Sequence, residues 1–367
     1  MNQNRVIAGF IGAGGIARSH AFSLNSLKYY YNDVPEVELS AVCSSGKESR
    51  EVFSRRFGFQ KACDLEEFLN DDRIDTVFIL GPNKVHYEHL RAALAMKSIK
   101  RIYLEKPVCS SIEEETSLKQ LTEENKHVVY QVGFQYLFSP AVRDALILWR
   151  SGKLGKPLHF DFKYYHGDYL RKDYRDKRTN RLTPAPDGGA MADLGSHVIS
   201  FLIAFLGNDM LITSGLQAGD YDDVPEGSDL FSQISLFDKV SRAAGTLSSS
   251  RISSGTGDFL SFEIYAENGA IKYSTLTPDL FEFFTEDSGV WTRQISGSNY
   301  KPYSSFPSGH VPAGWHRAMI HAHYVFLKGI SNDPVLPDIA HGLQVQRMVR
   351  ETAYQLSIFR QMRKSRL

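Results

Sequence analysis

A lysine preceded by a glutamate ends a short strand-like run and stands before a proline. The run 101–104 is followed directly by Glu105, Lys106 and Pro107. Because proline disfavours helical backbone in the preceding residue, we expect Lys106 to be extended at the carboxyl end of a strand. Ligands bind at that end in open α/β sheets, so Lys106 is a candidate proton donor and acceptor. The alternative is an ordinary surface Glu-Lys pair at a strand end.

A glycine-rich turn joins the first strand-like run, 6–11, to the helical stretch 16–31. In its GxGxxA pattern, Gly12 permits a tight turn and Gly14 lets the backbone approach a pyrophosphate. Ala17 allows close helix–strand packing, and free N–H groups at the helix start bind negative charge. The alternative is a glycine-rich turn that binds nothing. The residues predicted to bind a dinucleotide here are Gly12, Gly14, Gly15, Ile16 and Ala17.

No carboxylate follows the second strand-like run, 37–43, where an acidic residue normally binds the adenosine ribose. Hydroxyl and cationic side chains stand there instead, and such groups accommodate a 2′-phosphate. The sequence therefore favours NADP, and the alternative is NAD with its ribose contacted by Glu48 or a backbone group. The polar and cationic residues of this segment are Ser44, Ser45, Lys47 and Arg50.

A carboxylate and an imidazole stand four residues apart where the most apolar helical run, 198–206, begins. On a helix, Asp193 and His197 would share one face, with Cβ atoms about 5–6 Å apart. Buried polar groups need partners or a cavity, so the pair is a candidate for acid–base chemistry. The alternative is a capping aspartate with a satisfied core histidine. No second Asp/His pair with ligand spacing is nearby, so we expect no metal site.

Strand-like and helical stretches alternate through residues 1–131, which predicts a doubly wound parallel α/β sheet with crossover helices. Residues 132–367 follow a different pattern. Runs that alternate apolar and polar residues, and a hairpin signal at Asn268-Gly269, predict an α+β domain with a large, mainly antiparallel sheet. Helices at 315–329 and 339–362 are expected to cover one face of that sheet. The other face is expected to be buried in a homodimer or homotetramer.

Composition limits the classes of function. The 42 Lys and Arg residues balance 42 Asp and Glu residues, so we expect neither nucleic acid nor a membrane as a partner. Three widely spaced cysteines suit neither a disulfide framework nor a metal site. With no signal peptide and no apolar stretch of about 20 residues, the expected location is the cytoplasm.

Three features in this order resemble the Gfo/Idh/MocA oxidoreductases, which include glucose–fructose oxidoreductase and inositol dehydrogenase. They are the GxGxxA turn, Glu105-Lys106-Pro107, and Gly-Gly-x4-Asp193-x-Gly195-x-His197. The resemblance covers essentially the whole chain and implies an N-terminal Rossmann domain. It also implies sheet-face dimers, often paired into tetramers. The further cofactor contacts predicted beside this resemblance are Pro82, Asn83, His86 and Glu105.

The resemblance implies hydride transfer between a nicotinamide and a hydroxyl or keto carbon of a sugar, sugar derivative or cyclic polyol. Lys106 would orient the reacting hydroxyl, His197 would take its proton, and Asp193 would hold and polarise the group. Many members carry an acid where this chain has Ser200. The alternative is a non-catalytic regulatory protein that binds dinucleotide and sugar on the same fold. The predicted substrate contacts are Lys106, Tyr165, Asp193, His197 and Trp315, the last within a 312–316 motif of sugar-acting members.

Overall fold

The computed structural model describes residues 5–184, 188–219, 221–296, 315–330 and 336–364. These residues form two compact units. The first lies within Met1–Pro140 and Ser298–Leu343, and the second within Ala141–Gly297 and Gln344–Leu367. The domain limit between residues 131 and 132 stays a prediction.

The elements alternate between strand and helix in the first part of the chain, as the hydrophobic pattern predicts. In chain order they are β1 (Arg5–Ile11), α1 (Gly15–Tyr30), β2 (Glu36–Cys43), α2 (Lys47–Phe57), β3 (Lys61–Cys63), α3 (Leu65–Leu69), β4 (Thr76–Ile79), α4 (His86–Leu94), β5 (Arg101–Leu104), α5 (Ile112–Glu124) and β6 (Val129–Val132). The pattern missed β3 and α3, which are too short to show a period. Asp64 caps α3 by accepting the Glu67 N–H.

The remaining elements are mostly strands joined without intervening helices. They are α6 (Pro140–Arg150), β7 (Pro157–Tyr165), α7 (Lys172–Asp176), α8 (Ser196–Leu206), β8 (Met210–Ala218), β9 (Phe231–Asp238), β10 (Ala244–Ser250), β11 (Phe259–Ala266), β12 (Gly269–Ser274), β13 (Leu280–Thr285), β14 (Val290–Ile295), α9 (Trp315–Lys328) and α10 (Ile339–Lys364). Among the described helices, none is long and apolar enough to cross a membrane.

The first sheet is parallel throughout, with the strand order β3-β2-β1-β4-β5-β6. The prediction of a doubly wound sheet is confirmed. The direction of winding reverses between β1 and β4, and in such sheets the crevice at the carboxyl ends of these strands receives the ligand. The binding site of the first unit is therefore expected at the carboxyl edge of this sheet.

Helix α9 packs in the first unit, against α1, so the prediction that it covers the antiparallel sheet is wrong. Its alanines Ala318 and Ala322 are buried in the core that contains β1 and α1, and small side chains allow two helices to approach closely. Tyr324 of α9 stacks on Tyr31 with ring centroids 4.0 Å apart. Helix α9 thus supplies a wall of the nucleotide-binding unit.

The second sheet has the order β14-β13-β12-β11-β7-β10-β9-β8 and is antiparallel except for β7 and β10. This confirms the predicted mainly antiparallel sheet and adds a parallel pair that no local pattern could indicate. On one face Phe162 and Phe262 meet α8, where the Phe205 ring centroid is 4.7 Å from that of Phe262. Helix α10 lies against β8, because a Cβ on Gly215 would come within 2.5 Å of Leu356 Cδ2.

Candidate active site

The loops after β1, β2, β4 and β5 all lie at the carboxyl edge of the parallel sheet, as the strand order requires. These loops contain residues 12–17, 44–47, 81–83 and 105–107, and therefore every residue that the sequence assigned to the cofactor except His86, which begins α4. Parallel strands end at one edge, so strands far apart in the chain bring these groups to one side of the sheet.

The loop after β1 has the geometry of an anion cradle. Gly12 has φ +124°, its N–H donates to Cys43 O at 2.9 Å, and a Cβ there would lie 2.7 Å from the Leu80 carbonyl carbon. Glycine is therefore required where the ends of β1 and β4 meet. A Cβ on Gly14 or Gly15 would meet nothing within 4 Å. Helix α1 begins without a side-chain cap and without an acidic residue in its first turn. Open space in front of uncapped N–H groups fits a pyrophosphate.

The loop after β2 presents exposed polar groups. Arg50 donates from Nη1 to Ser44 O at 2.8 Å, so this cation shapes the loop. Ser45 and Lys47 are exposed, and α2 begins at Lys47 without a side-chain cap. Lys47 and the N–H groups of the helix start are therefore accessible to a phosphate.

Glu105 is buried beside Lys106, and its carboxylate is bound inside the first unit. His20 Nε2 lies 2.9 Å from Glu105 Oε1, and His20 Nδ1 lies 2.8 Å from His323 Nε2. The Glu105 N–H donates to Ile79 O at 3.0 Å. Gly133 must be a glycine here, because a Cβ would lie 2.6 Å from Glu105 Oε1. Lys106 itself is half-buried.

His86 connects the end of β4 with the segment that follows Lys106. Its Nδ1 lies 2.6 Å from Pro107 O, and its Nε2 lies 2.8 Å from Gly81 O. Burial lowers the pKa of this imidazole, and the two carbonyl contacts oppose that change. Pro82 is exposed and Asn83 is half-buried in the short turn between them. His86 was predicted as a cofactor contact, and the structure gives its ring two backbone partners.

In the second unit, the turn before α8 is fixed by a buried carboxylate that the sequence reasoning missed. Asp229 accepts the Met191 N–H at 2.8 Å, and its carbonyl accepts the Ala190 N–H at 2.9 Å. Burial raises the pKa of Asp229. Gly189 has φ +83°, and a Cβ there would overlap the Asp229 carboxylate. The Gly-Gly pair thus admits the carboxylate that anchors this turn.

Asp193 lies in the π-helical turn Met191–Gly195 and is held by two guanidinium groups. Arg181 Nη1 lies 2.8 Å from both carboxylate oxygens, and Arg251 Nη2 lies 2.8 Å from Oδ2. Arg251 is fully buried, donates to Arg181 O at 2.6 Å and lies 4.5 Å from the Tyr169 ring centroid. The charge of Asp193 raises the pKa of Arg181. Two fixed cations therefore orient the Asp193 carboxylate.

His197 lies in the first turn of α8, buried, with its ring centroid 5.9 Å from that of Tyr164. The Tyr164 hydroxyl donates to Asp258 at 2.9 Å. Successive residues of a strand point to opposite faces, so Tyr165 lies on the other face of β7, 2.6 Å from the Ser248 hydroxyl. The aromatic neighbour of His197 is thus Tyr164 rather than Tyr165, and Tyr165 as a substrate contact stays a prediction.

The 312–314 part of the late motif and the Trp315 side chain lie outside what the structure describes, so Trp315 also stays a prediction. Within the described ranges no group of His, Cys, Asp or Glu could hold a metal ion. All three cysteines lie in those ranges and are buried and free. Burial raises the pKa of Cys43 to about 12 and that of Cys63 to about 11, which does not suit reactive thiolates.

Comparison with known proteins agrees with this architecture. Residues 6–134 match the NAD-binding Rossmann fold of the GFO/IDH/MocA oxidoreductase family, and residues 142–272 match the GFO/IDH/MocA C-terminal domain. The chain belongs to the GFO/IDH/MocA family. It is therefore an oxidoreductase with an NAD-binding domain, and the resemblance of its three motifs to this family is confirmed.

Individual relatives agree on the class of reaction and differ in substrate. The chain is 30% identical to glucose-6-phosphate 3-dehydrogenase of Bacillus subtilis over 57% of its length, a match that spans 56% of that protein. It is 26% identical to levoglucosan dehydrogenase of Pseudarthrobacter phenanthrenivorans over 92% of both proteins. A structure of levoglucosan dehydrogenase with NADH and levoglucosan matches with a TM-score of 0.84 at 21% identity, covering 97% of this chain and 98% of that one. At this identity the structural match shows the fold.

Proposed function

We propose that this family member oxidises a secondary hydroxyl of a sugar, sugar derivative or cyclic polyol, or reduces the corresponding ketone, with NADP or NAD as the redox partner. The observation that carries the proposal is the shared edge of the first sheet. Lys106 follows β5 at the same carboxyl edge where the loop after β1 leaves an open, uncapped anion cradle. A lysine beside a dinucleotide site can orient the hydroxyl whose carbon exchanges hydride with the nicotinamide.

Three side chains carry proton transfer and orientation in this proposal. When bound, the nicotinamide accepts the hydride from the carbon that bears the hydroxyl. Lys106 orients that hydroxyl, and His197 takes its proton as the general base. Asp193, fixed by Arg181 and Arg251, holds and polarises the reacting group. A carboxylate bound by two cations is fixed in place, so its task in this proposal is orientation.

We further propose that NADP is preferred over NAD. Lys47 is exposed at the uncapped start of α2, directly after the polar loop 44–46. Arg50 is committed to the Ser44 carbonyl, so it supports the loop while Lys47 reaches the 2′-phosphate.

The test is a turnover assay that follows the near-ultraviolet absorbance of the reduced nicotinamide. The substrate panel contains neutral sugars, their phosphorylated counterparts, anhydrosugars and inositols. Each compound is tested with NAD and with NADP. We expect one substrate group to support turnover that His197→Ala abolishes. Tight binding of reduced cofactor without turnover on any substrate would instead favour a regulatory protein and contradict the proposal.

We also propose that the second unit forms a homodimer or homotetramer through the outer face of its sheet. That face carries exposed Leu216 and Trp291 and the stacked rings of His159 and Tyr265. Apolar and aromatic groups on a broad sheet face are typical of a surface covered by another subunit. Light scattering at micromolar concentration should give a multiple of 41.4 kDa. A mass equal to one chain would contradict this assembly.

A cytoplasmic location is proposed as well, because all three cysteines are free and buried, as is usual for proteins of reducing compartments. Cell fractionation tests it, and recovery in a membrane or extracellular fraction would contradict it.

A further inference from the structure

The residues on both sides of Lys106 are bound by buried histidines. On the preceding side, His20 Nε2 lies 2.9 Å from the Glu105 carboxylate. On the following side, His86 Nδ1 lies 2.6 Å from Pro107 O. His20, Glu105 and His86 are buried in the first unit, whereas Lys106 and Pro107 are half-buried. The lysine therefore has an imidazole bonded to the residue before it and another bonded to the residue after it.

The histidine on the preceding side is itself held by a second one from a distant part of the chain. His323 of α9 places Nε2 at 2.8 Å from His20 Nδ1, and both rings are 0% exposed. Phe78 and Tyr103 enclose the pair, with ring centroids 5.3 and 5.4 Å from that of His323. With water excluded and aromatic rings around it, this pair has little freedom to rearrange.

Hydrogen-bond chemistry fixes the direction of donation along this chain of groups. A carboxylate can only accept, so a neutral His20 beside Glu105 donates from Nε2 and uses Nδ1 as the acceptor. His323 must then donate from Nε2, which needs only the neutral ring. Burial and the neighbouring His20 keep the pKa of His323 well below its usual value. Donation therefore runs from His323 to His20 to Glu105.

His86 makes the corresponding contact on the other side, and it joins two loops of the carboxyl edge. Its ring lies between the carbonyls of Gly81 and Pro107, at 2.8 and 2.6 Å. Carbonyl oxygens only accept, so a neutral ring donates to one of these carbonyls and a protonated ring donates to both. The loop after β4 and the segment after β5 are held together through one side chain.

We propose that His20, His86 and His323 are positioning residues that fix the peptide carrying Lys106, through Glu105 on one side and Pro107 on the other. The inference rests on the proposed function, in which Lys106 orients the reacting hydroxyl. None of the three histidines needs to touch substrate. Helix α9 thereby contributes to the active site through a buried hydrogen-bond chain, although His323 is 303 residues from His20 in sequence.

Other ionisable groups face this network and define what the test must control. Tyr103 lies beside both rings of the pair, and burial raises its pKa well above the usual value. Glu105 acts on His86 and on Tyr103 by its charge. Glu114 acts on His86 in the same way. Because a pH profile would combine all of these groups, the decisive comparison is between variants at one pH.

The experiment compares His323→Leu and His323→Gln with a matched control, His321→Leu, in the full-length protein. His321 lies on the same helix, is also fully buried, and bonds Tyr31 Oη at 2.7 Å instead of the Glu105 network. We expect His323→Leu to lower kcat by about tenfold or more, the scale of one lost buried hydrogen bond. His323→Gln, which retains an N–H donor, should stay within about threefold of wild type. The control should lose thermal stability but keep kcat.

A second measurement separates this inference from the proposed function. Lys106 is labelled with an amine-reactive reagent, and its modification rate is read by peptide mass spectrometry. The inference is supported if the Lys106 modification rate changes in His323→Leu and stays unchanged in His321→Leu. This outcome counts even if the wild-type protein turns over none of the substrates tested. If kcat and the Lys106 labelling rate both remain at wild-type values in His323→Leu, the histidines are merely structural and the inference is overturned.

Should His323→Leu not fold, His86→Gln tests the other side of the lysine. A glutamine amide can donate to Pro107 O or to Gly81 O but does not reproduce the rigid bridge between them. We expect the Lys106 labelling rate to change and kcat to fall by about fivefold or more, while reduced cofactor still binds. Wild-type values for both quantities in a folded His86→Gln would overturn the inference.

Discussion

Replacing Arg251 with methionine is the sharpest test of how the second unit holds its carboxylate. Arg251 is fully buried, with Nη2 at 2.8 Å from Asp193 and Nη1 at 2.6 Å from Arg181 O. Its guanidinium also lies 4.5 Å from the Tyr169 ring centroid. Methionine fills a similar volume without charge or donors, so the change removes these interactions and little packing.

The expected loss of stability depends on the partner that Asp193 keeps in the variant. Removing one partner of a buried ion pair costs about 3–5 kcal/mol, because the other charge is left buried without compensation. Asp193 keeps Arg181, whose side chain is 49% exposed, at 2.8 Å from both oxygens. The free energy of unfolding should therefore fall by about 2–4 kcal/mol. For a unit of this size, each kcal/mol lowers the melting temperature by about 2–4 °C.

The assay is thermal unfolding together with kcat/KM on the best substrate. The matched control is Arg293→Met, which removes an arginine that is 75% exposed and pairs with Glu282 at the sheet surface. A surface pair contributes about 1 kcal/mol or less, so the control should melt close to wild type. Arg251→Met should melt about 5–15 °C lower and should also lose kcat/KM because Asp193 is less fixed. Equal melting temperatures and activities for the two variants would refute the reasoning.

Three further changes test the first unit. Lys106→Ala should lower kcat by about a hundredfold or more and leave cofactor binding intact, and near-normal turnover would contradict its role. Gly14→Val should keep the fold, since a Cβ there meets nothing within 4 Å, yet it should severely weaken NAD(P)H binding measured by fluorescence. Unchanged affinity would mean that the loop is not the cofactor site. Lys47→Ala should weaken NADP about tenfold and leave NAD unaffected, whereas equal losses, or a wild-type preference for NAD, would contradict the NADP preference.

The first unit was largely predictable because its signals are local. Strands and helices alternate within short windows, and parallel strands bring the loops after β1, β2, β4 and β5 to one edge by topology alone. The GxGxxA turn and Lys106 could therefore be assigned to the same edge from sequence. His20 could not be linked to Glu105 in this way, because nothing in a helix of mixed composition shows which residue faces a strand end.

The second unit was predictable in class but not in detail. Asp193 and Arg251 are 58 residues apart, and the place of β10 in the sheet brings that arginine to the turn before α8. One signal was present in the sequence and was missed. Phe160, Phe162 and Tyr164 share one phase of β7, so the alternation itself indicates that Tyr164, not Tyr165, faces the apolar side.

The buried charges of both units bear on whether the protein is an enzyme or only a binding protein. Burying a charge costs free energy unless the charge is paired. Glu105 and Arg251 are both buried, and each has a polar partner: His20 for Glu105 and Asp193 for Arg251. A protein that merely bound a dinucleotide and a sugar would need neither a carboxylate held by two cations nor a lysine whose two sequence neighbours are bonded to buried histidines. Local arrangements of this cost are expected where a reaction requires fixed geometry. His323→Leu and Arg251→Met should therefore each lower turnover by more than the loss of folded protein explains.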